Sequence, residues 1–140
     1  MSLETWLANG WLVRHTASAQ ETSDLLEAAA SDLADARKDL SPSWRFAIAY
    51  NAALRLCTAV LQTAGYRASR DQKHYRTIAA LPLVIGAEAR EIARFLDSCR
   101  TKRHEVTYEA LSGLSESEAA ELVKAVGELE TLARDWLRSC

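Results

Sequence analysis

Residues 42–65, PSWRFAIAYNAALRLCTAVLQTAG, constrain the fold more than any other stretch. After the first turn the polar residues are Asn51, Arg55, Thr58 and Gln62. That spacing gathers them on one narrow stripe of a helix. The rest of the circumference is apolar or small, so the helix needs neighbours on several sides. Ser41 suits the N-cap, Pro42 the first helical position and Gly65 the left-handed stop. A helix of about 22 residues spans roughly 33 Å, the length of a small bundle. Arg45, Asn51 and Arg55 interrupt the run, so it does not read as a membrane span.

Neighbours for this helix come from both sides of it. Ser18-Ala-Gln-Glu21 has capping-box spacing and predicts an amphipathic helix to about Lys38, with Leu25, Ala29, Leu33, Ala36 and Leu40 on one face. A third helix is expected over residues 71–85, kinked or shortened by Pro82 and ended by Gly86. A fourth runs from about Glu88 past Arg100. Ser115-Glu-Ser-Glu118 is a second capping box, opening a fifth helix to about Leu137 with a 3.6-period apolar stripe. Residues 3–14 read as a short helix or turn stopped by Asn9-Gly10, with Trp6, Leu7, Trp11 and Leu12 docked on the bundle. No stretch alternates as a strand should. The expected fold is all-α, an antiparallel bundle of four to five helices, with residues 1–17 as a docking segment and 18–140 as the domain.

Composition narrows function mainly by exclusion. A net charge of -2 gives no global reason to bind nucleic acid. The charge is unevenly spread: residues 67–104 carry 9 Lys/Arg against 4 Asp/Glu, and residues 105–140 carry 3 against 8. This basic middle suits either an anion or complementary packing between helices or protomers. Cys57, Cys99 and Cys140 show no CxxC spacing, and the N-terminus has neither a basic region nor an apolar run. Together they lead to the expectation of a reducing, cytoplasmic location. His15, His74 and His104 are far apart and no HExxH occurs, so no metal and no cofactor is expected. His74, after the basic connector, reads as a surface or capping histidine.

One oddity stands at the end of the fourth helix, in CRTKRHEVTYE, residues 99–109. At about 100° per residue, Arg103 falls on the line of Ile92, Leu96 and Cys99, with Arg100 and His104 to one side. A guanidinium on a core stripe is costly unless paired or at a wet edge. Either Arg103 enters a polar pocket at a bundle end or interface, or it offsets the helix dipole and reaches out to water. Tyr50 and Asn51 are within reach of such a pocket; the bland alternative is a core ring beside a satisfied polar stripe.

AYNAALRLCTAVLQTAGYR, KHYRT and FLDSCRTKRHEVTYE, in that order, resemble the HEPN domain family, closest to its short stand-alone bacterial members. The resemblance covers residues 18–137. It implies a homodimer, and for many members a metal-independent endoribonuclease of a toxin–antitoxin or defence system. The family signature is an Arg, a polar residue, and a His four to six positions after the Arg, with two signatures meeting across the dimer axis. Arg103 and His104 match the first two, but Tyr108 stands where the His belongs. Pairing Arg100 with His104 instead places the Arg off the stripe.

The resemblance therefore implies Arg103, His104 and Tyr108 as the catalytic set, with Arg100, Lys102 and Asn51 binding substrate. A His near neutral pKa suits removal of a ribose 2′-OH proton, whereas a Tyr does not. The alternative is a non-catalytic HEPN module that binds a nucleotide or a partner, such as a small nucleotidyltransferase. A third reading is a structural dimer in which Arg103 closes a polar network.

Overall fold

A computed structural model describes residues 2–105 and 113–140. It is mostly helical, with four long helices: α2 (Ala19–Ala36), α3 (Pro42–Thr63), α6 (Arg90–Glu105) and α7 (Glu116–Arg138). Shorter pieces are α1 (Leu3–Ala8), β1 (Leu12–Arg14), β2 (Tyr66–Ala68), α4 (Lys73–Ala79) and α5 (Leu81–Val84), with a 3-10 turn at Ala87–Ala89.

The helix α3 lies at the centre and packs most extensively on α2 and α7. Its Phe46, Tyr50, Ala53, Leu56 and Val60 are buried, as an apolar circumference requires. Ser41 Oγ accepts from Trp44 N, with Pro42 at the first position, and Gly65 takes φ +103°. Arg55 and Thr58 of the polar stripe have specific partners, whereas Gln62 Oε1 is buried without one among the described residues. Arg55 pairs with Asp32 at 3.0 Å, and Thr58 donates to the Leu54 carbonyl at 2.7 Å.

Ala29, Leu33 and Ala36 of α2 bury on one side, and Leu122, Val126, Leu129 and Ala133 of α7 on another. Leu26, rather than Leu25, packs against this core. Leu40 lies beyond the end of α2 and is exposed, because the helix stops at Ala36. The box at Ser115 forms in full: its Oγ accepts from Glu118 N, and the Glu118 carboxylate accepts from Ser115 N.

The expectation that no strand occurs is corrected. β1 and β2 pair antiparallel, with Leu12 opposite Ala68 and Arg14 opposite Tyr66. Three residues are too few for alternation to register, and the pairing partner is remote in sequence. This ribbon carries the N-terminal segment onto a second cluster of Trp6, Leu12, Leu61, Ala68 and Ala80. The Arg76 guanidinium lies 3.8 Å from the Trp11 ring and 5.9 Å from Trp6. Its Nε and Nη1 are buried without hydrogen-bond partners among the described residues, so ring faces are its main compensation.

The expected third helix is two. The left-handed Gln72 (φ +53°) delays its start to Lys73, and a break at Ala80, two residues before Pro82, separates α4 from α5. Gly86, at φ +121°, then turns the chain towards α6. Among the described residues no helix is long and apolar enough to cross a membrane.

Candidate anion-binding site

Three elements meet at the C-terminal end of α6. It brings Arg100 and Arg103 there, α3 brings Tyr50 and Asn51, and the first turn of α4 brings Lys73, His74 and Tyr75. Tyr50 and Asn51 are adjacent, so their side chains diverge by about 100°. The ring of Tyr50 enters the core at 1% exposure, and Asn51 stays half-buried at the edge.

Arg103 is half-buried, with Nη1 donating to Asn51 Oδ1 at 3.1 Å. Its Cζ sits 4.9 Å from the centroid of the Tyr50 ring. Among the described residues no carboxylate pairs with it. An amide and a ring thus hold the guanidinium in place without cancelling its charge. The guanidinium of Arg103 is thus engaged by Asn51 and Tyr50 of α3.

Tyr50 remains a neutral phenol. Burial pushes its pKa up to about 12, opposed by the positive charges of Arg103 and Arg100. Its hydroxyl is buried with no hydrogen-bond partner among the described residues. The Tyr50 ring also lies 6.4 Å from the His74 imidazole.

Beside this arrangement is a cavity of about 390 Å³ lined by Gln72, Lys73, His74, Tyr75 and Arg100. Arg100 donates from Nε to Asp97 at 2.8 Å, and its Cζ lies 5.3 Å from the Tyr75 ring. Two cations, an imidazole and an aromatic ring in one concavity suit a phosphate with an attached base.

Of the residues expected from sequence, Arg103 and Asn51 are in direct contact, and Arg100 lines the neighbouring cavity. Lys102 is directed to α7 instead, where its ammonium donates to Glu118 at 2.8 Å. Tyr108 and the side chain of His104 lie outside the described residues. Sequence reasoning passed over Lys73 and Tyr75 and read His74 as peripheral. The signal was present in KHYRT, where two cations flank two rings, but a predicted helix without its packing partners assigns it no location. No cluster of three metal-ligating side chains occurs among the described residues.

No protein family, curated protein or solved structure matches the chain.

Proposed function

We propose that the chain is a HEPN-like protein of a toxin–antitoxin or defence system that acts on RNA as a metal-independent endoribonuclease. In this reading it is a cytoplasmic homodimer. The observation that carries the proposal is Arg103, a half-buried guanidinium held by Asn51 and Tyr50 with no carboxylate partner among the described residues. Held cations of this kind bind phosphate in charge-assisted pairs and stabilise charge that builds on it.

Arg103 and Arg100 take the phosphate, and Tyr75 offers a face for a base. His74, on the wall of the same cavity, receives the ribose 2′-OH proton. The 2′ oxygen bonds to phosphorus, the bond from phosphorus to the 5′ oxygen breaks, and that oxygen takes a proton from water. The products are a 2′,3′-cyclic phosphate and a 5′ hydroxyl.

A second reading is favoured by Tyr108, which stands where the resemblance places the signature His. On that reading the module binds a nucleotide or a nucleotidyltransferase-type partner without cleaving RNA.

Cleavage of total RNA and tRNA in EDTA tests both, with wild type beside Arg103→Ala and His74→Ala. Wild-type cleavage lost in both variants supports the nuclease. Binding that depends on Arg103 without any cleavage supports the module. Cleavage unchanged in Arg103→Ala rejects the assignment of the site.

A further inference from the structure

The 3-10 turn Ala87–Ala89, the N-terminal half of α6 and the face of α7 beside it enclose a groove of about 500 Å³, towards the opposite end of α6 from Arg103. Its floor is apolar: Ile92 and Phe95 from α6, Ala125 and Leu132 from α7, all half-buried. Its rim is acidic. Glu88 and Glu91 stand on one bank, Glu121 and Glu128 on the other, and Lys124 is the one cation lining it among the described residues.

These four carboxylates differ from three others on α7. Glu116, Glu118 and Glu130 are each in a salt bridge, with Arg45, Lys102 and Arg134. Glu88, Glu91, Glu121 and Glu128 are exposed and make no salt bridge among the described residues. Like charges around an apolar floor repel one another and raise the local negative potential, so a cationic occupant relieves a cost already present.

We propose that this groove binds a basic amphipathic helix of a partner protein, with apolar residues at i, i+3 or i+4, and i+7 on the floor and flanking Lys or Arg on the rim. The floor and rim on α7 run from Glu121 to Leu132, at about 1.5 Å per residue some three turns of a docked helix. A second copy of this chain does not satisfy the groove. A two-fold contact centred on the groove sets the glutamates against themselves. RNA phosphates are repelled here, so the groove is independent of the anion site.

The probe is a fluorescein-labelled synthetic helix of about four turns with a Leu stripe and Lys flanks, followed by anisotropy at low and high salt. Comparison peptides carry the same residues scrambled, or Glu in place of Lys. The protein variant is Glu91→Lys with Glu121→Lys, at exposed positions without salt-bridge partners, with folding checked by circular dichroism. The expected result is binding to wild type, weakened about tenfold or more by either scrambling or charge reversal, a change of about 1.4 kcal/mol. The reversed protein then prefers the Glu peptide. Equal binding of the scrambled peptide, or no effect of reversal, overturns the proposal. So does a reversal that changes the oligomeric state in light scattering, which makes the groove a self-interface.

Discussion

Arg103 of α6 reaches back to Asn51 of α3 and donates to its side-chain oxygen at 3.1 Å, while its guanidinium lies 4.9 Å from the ring of the preceding residue, Tyr50. Two consecutive residues of the central helix therefore do different work. Tyr50 supports the guanidinium from the core, and Asn51 fixes its direction. Asn51→Leu removes the acceptor while keeping bulk. The expected cost is about 1.5–3 kcal/mol of stability, the range for a hydrogen bond to a charged group. Denaturant titration checks this. On the proposed function, RNA affinity is expected to fall together with it, because the guanidinium is no longer aimed.

Alkaline titration isolates Tyr50. Its folded-state pKa is raised to about 12 by burial, above the ordinary value of 10.0. The unfolded chain thus releases this proton first. The stability contribution is fully present below pH 10.0 and is lost as pH rises towards about 12. Phenolate absorbance is expected to show one of the four tyrosines ionising only with alkaline unfolding. Tyr50→Phe removes that late step. A late step that survives in Tyr50→Phe contradicts the assignment.

The thiols should separate in the same way. Burial raises the Cys57 pKa to about 12 and the Cys99 pKa to about 11. Cys140 is exposed. Since the thiolate is the reactive form, a disulfide reagent is expected to label one thiol quickly in the native protein and all three in denaturant. Rapid labelling of Cys57 under native conditions would mean that α3 opens far more readily than its packing implies.

Trp6 and Arg76 carry opposite expectations. Trp6 is 7% exposed in the second cluster, and Trp6→Ala is expected to cost about 3–5 kcal/mol. The Arg76 nitrogens Nε and Nη1 lack partners among the described residues, so Arg76→Met exchanges an incompletely compensated cation for apolar bulk of similar length. The expected outcome is unchanged or higher thermal stability, as often follows when buried charges are replaced by well-packed apolar residues. A large loss in Arg76→Met would show that stacking on Trp11 outweighs desolvation.

The elements most legible in the sequence are those whose signals are local. The helix Pro42–Thr63, its Ser41 cap and Gly65 stop, and the box at Ser115 are set by contacts within a few residues. The position of Arg103 on a core-facing line of α6 is legible for the same reason, since helical phase depends on spacing alone. The strand pair Leu12–Arg14 with Tyr66–Ala68 was not legible, because two three-residue strands acquire meaning only when paired. Lys102 had the same basic signature as Arg103, yet one helical step turns it to Glu118.

Sequence by itself determined a mostly helical chain around one buried helix, and a cation on the buried side of another helix that had to find compensation. Periodicity and capping are short-range, so they survive without knowledge of the fold. Only the tertiary structure decided that the compensation is Asn51 and Tyr50 rather than a carboxylate, and that Lys73, His74 and Tyr75 share a cavity with Arg100. It also decided that four glutamates from α7, α6 and the turn before α6 share one apolar groove. Those outcomes depend on which helix faces lie against each other, and that is a property of long-range packing that no window of the chain contains.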